Sequence, residues 1–462
     1  MGEKRYDLLV IGAGAAGSTA ASTAAGNGAR VALVEDDKLG GTCLNYGCDP
    51  TKTLLSVARR LYEARHSERF GLHIDNARVE WKDVLCHVNG VIEKIRGGTP
   101  QEARESIERQ GIDLIFGEAR FLSPHEVAVA GRRIETNRVI IATGTESVEH
   151  PVSGLGEVGF ITNKEAVSLP VLPERLAIIG GGPIGIEFAQ LFGRFGVQVV
   201  VLQRSPTLLS GEDTELANIL CELLSREGIR MMTGAELHCL PEGSGDKRLH
   251  VHTKQGGDED IVVDEILVAV GRRPRTRSLG LEAAGVATLN DAVVVDRMLR
   301  TNVSHIWAAG DVTGGYRFTH VASDQGELAA RNAFAEEPEP YDPGAIPWVT
   351  FTSPELAHVG KTEAQLVRDG IPHRVARMPL EKLDRARAEG ETTGLVKLLA
   401  GEDGQILGCH ILAPHAGDLI APVVVAMKAG MTVDTLGKTV LPYPTMAEAV
   451  RWAADQLKAK AN

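Results

Sequence analysis

Two stretches of the chain share one pattern of apolar and polar positions. The first runs Tyr6-Asp-Leu-Leu-Val-Ile-Gly-Ala-Gly-Ala-Ala-Gly17, an apolar run closing on glycines, then an Ala-rich stretch and a second apolar run, Arg30-Val-Ala-Leu-Val-Glu35. That order predicts strand, helix and strand, a βαβ unit. The second starts at Leu176-Ala-Ile-Ile-Gly-Gly-Gly-Pro-Ile-Gly185, continues through a helical Glu187 to Phe195, and re-enters a strand at Val197 to Leu202. Between them, amphipathic spacing predicts helices over Lys52 to Arg65 and Val84 to Gln110, and a β-rich return ends in Arg138-Val-Ile-Ile-Ala-Thr-Gly144. The Gly- and Pro-bearing residues after Gly144 read as a linker. Beyond about Pro340 the pattern changes to alternating strands and helices. It runs from Ile346-Pro-Trp-Val-Thr-Phe351 through Gly394-Leu-Val-Lys-Leu-Leu-Ala400 to a helical tail, Met446 to Lys460, and predicts a separate α+β domain. Apart from the duplicated unit there is no repeat of solenoid period.

Composition narrows the function classes. A chain of 462 residues exceeds one ordinary core and implies about three or four domains. A net charge of −12 argues against a nucleic-acid polyanion or an anionic membrane as partner, since both attract basic faces. No apolar run is long enough to span a bilayer, and Met1 to Tyr6 lacks a signal-peptide pattern, so a cytoplasmic protein is expected. Six cysteines are too few for a secreted disulfide framework in a chain of this length, which directs attention to the one close pair.

The glycines carry the first chemistry. Gly12, Gly14 and Gly17 permit a tight turn, close approach of backbone to a pyrophosphate, and packing of helix on sheet, while Glu35 closes the second strand where a carboxylate can accept from ribose hydroxyls. Gly180, Gly182 and Gly185 repeat the spacing. The interval from Gly12 to Glu35, counted from Gly180, lands on neutral Gln203, followed by Arg204. Loss of the acid and gain of a cation favour a 2′-phosphate, hence NADPH over NADH, with a merely solvated surface Arg as the plain alternative.

The segment Gly40-Gly-Thr-Cys-Leu-Asn-Tyr-Gly-Cys-Asp-Pro-Thr-Lys52 is the strongest signal. Four residues separate Cys43 from Cys48, which does not fit the two-residue knuckles of structural zinc, and no second pair matches it. A redox disulfide is the simpler account, with no structural metal expected. Pro50 fits the first turn of a following helix, placing Cys48 near a positive helix end that favours its thiolate, whereas the charge of Asp49 opposes it.

With these landmarks in order, together with Ala142-Thr-Gly144, Gly180 to Glu187, Ala269-Val-Gly-Arg-Arg-Pro274, Ala309-Gly-Asp311 and Phe351-Thr-Ser-Pro-Glu355, the whole chain resembles the pyridine nucleotide-disulfide oxidoreductases. That family includes glutathione reductase, dihydrolipoamide dehydrogenase and mercuric reductase. The resemblance implies an α/β fold with two Rossmann-like dinucleotide-binding domains, for FAD and NAD(P), and a C-terminal α+β dimerisation domain. The implied boundaries are 1–147 for the FAD domain, 148–272 for the NAD(P) domain, 273–343 completing the FAD domain, and 344–462 for dimerisation. Hydride would pass from NADPH to the flavin and then to the disulfide, with Cys48 nearest the flavin and Cys43 the exposed interchange thiol. Lys52 would pair with Glu187, and Asp311 would bind the ribityl chain. Gly41, Thr42, Thr143 and Gly144 would line the FAD site, and Gly271 the NADPH site. Pro183 stands where some members carry an aromatic lid, so no lid is expected.

The family's C-terminal His-Pro-Thr is replaced by Pro442-Tyr-Pro-Thr-Met-Ala-Glu448. By resemblance, the Tyr443 and Glu448 segment crosses to the cysteine pair of a second subunit, which implies a homodimer with a shared site. A phenol of pKa near 10 is a poor proton shuttle. Tyrosine at this place resembles mercuric reductase, whose soft metal ion needs no protonated leaving thiol, and Cys43 and Cys48 would be transient ligands of Hg(II). The tail after Lys458 holds no cysteine pair and no metal-binding domain precedes Tyr6, so delivery of the metal is expected to depend on direct access to Cys43. Dihydrolipoamide dehydrogenase, another disulfide or quinone reductase, and a non-enzymatic thiol sensor stand as alternatives. Cys86, Cys221, Cys239 and Cys409 read as core cysteines, and His410 and His415 as structural residues of the last domain.

Overall fold

The structure is a computed structural model of the chain, described for residues 5–148, 152–241, 246–254 and 256–458. Leu8–Ile11 is buried at all four positions because it lies inside a five-stranded parallel sheet. The strand order is Ile306–Ala308, Val139–Ile141, Leu8–Ile11, Val31–Glu35 and Ile112–Phe116. The helices Ala15–Gly26 and Thr319–Phe334 cross on one face, and Gly326 allows the contact: a Cβ there would lie 2.1 Å from the Ala16 carbonyl oxygen.

The second βαβ pattern forms a four-stranded parallel sheet, in the order Arg230–Thr233, Gln198–Gln203, Arg175–Ile179 and Glu265–Val268. Its helices are Pro183–Arg194 and Thr214–Arg226, and an antiparallel sheet of Ala235–Pro241, Lys247–Thr253 and Gly257–Val263 flanks it. The C-terminal unit is a five-stranded antiparallel sheet, ordered Pro347–Thr350, Glu355–Gly360, Ile406–Ala413, Leu395–Ala400 and Arg374–Pro379, with helices packed on its apolar face. The chain is therefore α/β with two Rossmann-like units and an α+β unit.

Several expected elements differ in extent. The stretch Val84 to Gln110 is two helices, Trp81–Arg96 and Pro100–Arg109. Gly97 and Gly98 break it at φ 86° and 126°, and Thr99 restarts it with a capping box to Glu102. The redox helix begins at Cys48 rather than Lys52. The residues after Gly144 are not a free linker, because Thr145–Ser147 pairs with Arg272–Pro274; residues 149–151 lie outside the described residues. The tail helix is Glu448–Gln456, and 459–460 are outside the description. Cys239 and Cys409 are core cysteines, whereas Cys221 is half-buried and Cys86 is exposed, since the helix Trp81–Arg96 buries only Val88 and Ile92. His410 is buried in the C-terminal sheet, while His415 is exposed at its end.

One buried cation joins the second Rossmann unit to the C-terminal sheet. The Lys397 side chain, 3% exposed, lies 2.8 Å from Asp213, 3.1 Å from Glu215 and 2.7 Å from Glu363. Asp213 also caps the helix Thr214–Arg226. Removing the ammonium would leave the buried Asp213 carboxylate without a counter-ion, whereas Glu215 and Glu363 would keep Arg377. Lys397→Ala is expected to destabilise the protein by about 3 kcal/mol, read as a lowered midpoint in thermal unfolding; an unshifted midpoint would show the cluster to be energetically neutral.

Candidate functional site

The two glycine turns are built alike. Gly12 has φ 102°, and a Cβ on it would lie 2.4 Å from the Ala142 carbonyl oxygen; Gly180, at φ 115°, has the same relation to Ala269 at the same distance. Gly17 and Gly185 allow the close helix packing, since a Cβ on either would overlap the carbonyl oxygen of Gly12 or Gly180. Gly182 faces open space, and Gly14 meets only Gly41, leaving backbone accessible to a ligand. Glu35, buried, accepts from the Ala13 N–H at 2.8 Å and from Asp37 N–H at 2.9 Å. Burial pushes its carboxyl up, and the backbone donors work against that. Gln203 accepts the equivalent bond, from Gly181 N–H at 2.9 Å. Arg204 is exposed and makes no ion pair among the described residues. Gly271, at φ 134°, faces open space just after Ala269, whose carbonyl packs on the second turn.

From the first turn a cavity of about 1000 Å³ runs to the cysteine pair. Gly12, Gly14, Glu35, Gly41, Thr42, Cys43, Cys48, Lys52, Thr143, Gly144, Glu187 and Asp311 line it. A Cβ on Gly41, whose φ is 59°, would lie 2.8 Å from Gly14 Cα, so this end of the cradle is shaped by missing side chains. Asp311 accepts from the Thr145 hydroxyl at 3.0 Å, and burial pushes its carboxyl up against the pull of Thr145 and Arg272. A glycine-lined end with a buried carboxylate, a half-buried carboxylate along the wall, and sulfur at the far end fit FAD: Gly12, Gly14, Gly41 and Glu35 would hold its adenosine diphosphate portion, and Asp311 its ribityl hydroxyls. Gly180, Gly182, Gly185, Gln203, Arg204 and Gly271 lie outside that cavity, on or near the second turn, and suit a second nucleotide.

Cys43 sits in the short helix Gly41–Tyr46. Gly47, at φ −132° and ψ −108°, turns the chain so that Cys48 opens the helix Cys48–Arg65. The two sulfurs act on each other's titration. Cys48 is pulled down to about 6, chiefly by the Cys43 thiol and further by the Thr319 hydroxyl and the Lys52 ammonium. Burial and Asp49 oppose this, so the expected effect of Asp49 has the right sign and is outweighed. Cys43 is pushed up by Cys48 and by burial, so Cys48 is the sulfur favoured as thiolate. Lys52 Nζ donates to Glu187 Oε2 at 2.8 Å and lies 4.5 Å from the Phe351 ring centroid; Glu187 Oε1 accepts from Phe351 N–H at 2.8 Å.

Tyr443 and Glu448 are not brought to this cavity in their own subunit. Tyr443 is 69% exposed and its phenol donates to Asp384 at 2.9 Å, which raises its pKa further; Glu448 is buried and accepts from Thr445 N–H at 3.1 Å. Two residues at the site escaped the sequence. Thr319 Oγ1 lies 3.4 Å from Cys48 Sγ, and Arg272 donates to the Thr145 carbonyl at 2.7 Å and its hydroxyl at 2.8 Å. Arg272 lay within a quoted motif, but nothing in the pattern around Thr319 marks it.

Two dinucleotide folds around one cleft that ends at a paired thiol define a nucleotide-dependent thiol-disulfide oxidoreductase. Residues 6–326 match the pyridine nucleotide-disulphide oxidoreductase model, and residues 346–454 match the dimerisation domain of the same name. The chain belongs to the pyridine nucleotide-disulphide oxidoreductase family, whose members are FAD-dependent enzymes with NAD(P)H as electron donor. It is 37% identical to a mercuric reductase of Bacillus cereus, over 98% of this chain and 71% of that one. It is 36% identical to a dihydrolipoyl dehydrogenase of Chlamydia pneumoniae, over 99% and 97%. Among solved structures it resembles the HOCl-induced flavoprotein disulfide reductase RclA from Escherichia coli, 30% identical with a TM-score of 0.87, covering 98% and 100% of the two chains; a Cu(II) complex of that protein superposes at 0.86. The dimerisation domain indicates a homodimer. Among the described residues no helix is long and apolar enough to cross a membrane, and no group of His, Cys, Asp or Glu forms a metal cage.

The charge on Cys48 has a measurable consequence. With Cys48 drawn down to about 6, the thiolate of the reduced pair is favoured above that pH and is lost as the pH falls through it. Iodoacetamide capture at the pair is expected to rise through that pH; a rise only near the ordinary thiol value, about 8.5, would contradict the arrangement.

Proposed function

We propose that the chain is an NADPH-dependent, mercuric-reductase-like flavoenzyme whose Cys43-Cys48 pair takes up a soft metal ion such as Hg(II). The observation that carries this reading is Tyr443: it occupies the place of the family's acid/base histidine, and its phenol is committed to Asp384. Reduction of a disulfide substrate requires a leaving thiolate to be protonated, and a phenol held above its ordinary value gives up a proton poorly at neutral pH. A thiolate-bound metal ion makes no such demand, and two thiols suit a soft cation. The net change balances as NADPH and Hg(II) giving NADP⁺, H⁺ and Hg(0). FAD, when bound, supplies the two-electron carrier between the nicotinamide and the cysteine pair.

The remaining work falls to the chain's own residues. Cys48 holds the charge and Cys43 is the sulfur that meets the acceptor. Lys52, paired with Glu187, keeps a cation beside the thiolate at the ring end of the cavity. Gln203 and Arg204 favour the 2′-phosphate of NADPH by removing an acid and supplying a cation. Tyr443 and Glu448 complete the site across the dimer, at the cysteine pair of the partner subunit. A dihydrolipoamide dehydrogenase is the second reading, supported by the full-length identity to such enzymes.

Purified holoenzyme given NADPH or NADH with thiol-complexed Hg(II), lipoamide, glutathione disulfide or a quinone separates these readings. The expected result is fastest turnover with NADPH and Hg(II); faster turnover with lipoamide would replace the reading by the second one. Tyr443→His is expected to raise lipoamide or disulfide reduction by at least about tenfold, within the usual range for a positioned proton donor. No gain would mean that proton delivery at this position is not what limits disulfide substrates.

A further inference from the structure

Thr319 is the first residue of the helix Thr319–Phe334, and its hydroxyl faces the cysteine pair. It lies 3.4 Å from Cys48 Sγ, and either atom can be the donor of that bond. A hydroxyl has one proton to donate, so it can act as donor to only one of two sulfurs at a time. A donor bond to a charged acceptor is about twice as strong as one to a neutral acceptor, so the sulfur that receives the proton's bond is the one favoured as thiolate.

The residues on either side of this hydroxyl are stacked. Phe318 and His320, its chain neighbours, stack with ring centroids 5.5 Å apart and planes 6° apart. Phe318 continues onto Trp348 at 5.7 Å and 14°, and Trp348 lies on His358 at 3.6 Å and 19°. The Trp348 indole N–H donates to Glu212 Oε1 at 2.8 Å, so the column of near-parallel rings is anchored in the second Rossmann unit. Lys52 and Asp49 also act on Cys48, but through charge, and neither supplies a hydroxyl donor to it.

We propose that Thr319 is a further catalytic residue whose hydroxyl, held by this column, donates to Cys48 and so places the charge of the reduced pair there, leaving the proton on Cys43. This rests on the functional reading only in requiring that the cysteine pair be reduced by the nucleotide, and not on the identity of the acceptor.

Valine keeps the volume of threonine's branched side chain and removes the donor; serine keeps the donor. Holoenzyme reduced with NADPH is treated with limiting iodoacetamide near neutral pH, and peptide mass spectrometry reads the ratio of modified Cys48 to modified Cys43. In Thr319→Val that ratio is expected to fall about tenfold from the unsubstituted enzyme, and in Thr319→Ser to return to it, the size expected for a hydrogen bond to a charged group. An unchanged ratio in Thr319→Val, or a serine variant that behaves like the valine one, overturns the proposal. Should NADPH leave both sulfurs of the unsubstituted holoenzyme no more reactive than before its addition, the proposal and the functional reading fall together, an outcome distinct from the other two.

Discussion

The buried carboxylate of Glu187 is the interaction on which the architecture of the site depends. One oxygen accepts from Lys52 on the redox helix, and the other accepts from the backbone of Phe351 in the C-terminal unit, while the residue itself belongs to the helix of the second glycine turn. Three separately built units thus converge on one side chain. An isolated carboxylate at that depth would be costly, and the cation and the backbone donor offset the cost only when all three units are docked. The ring end of the cavity is consequently formed by tertiary assembly, whereas the glycine end is formed within a single βαβ unit.

That difference also explains how much could be read before the structure. The glycine turns, the interval to Glu35 and Gln203, and the cysteine segment are local patterns whose physical demands act within a few tens of residues, so they were legible. The pairing of Lys52 with Glu187 spans 135 positions and was accessible only through family resemblance. Thr319, 271 positions from Cys48, and Lys397, 184 from Asp213, follow no periodicity that would announce their partners. Helix limits were misjudged where glycine pairs stopped a continuous amphipathic stretch, as at Gly97 and Gly98, and where Gly47 let the redox helix begin at the cysteine itself. Cys86 was misplaced for a related reason: its helix is amphipathic, and the cysteine falls on the side that the subunit leaves uncovered.

The sulfur pair illustrates how opposing small effects settle a charge. Burial and Asp49 act against the thiolate at Cys48, and the neighbouring thiol, a hydroxyl and an ammonium act for it. Judged from Asp49 alone, the balance is read the wrong way, because the hydroxyl arrives from a helix 271 positions further along the chain and the ammonium from one helical turn along. The same layout separates the duties of the two cysteines without any difference in residue type.

The second glycine turn carries a lesson of its own. Glu35 and Gln203 clamp their turns through the same bond from a backbone N–H, at 2.8 and 2.9 Å, although one side chain is acidic and the other neutral. Bracing the loop needs only an acceptor oxygen, and that oxygen need not bear charge. A turn of this kind can therefore lose its negative charge by a single exchange of oxygen for nitrogen, with no rebuilding of the loop around it.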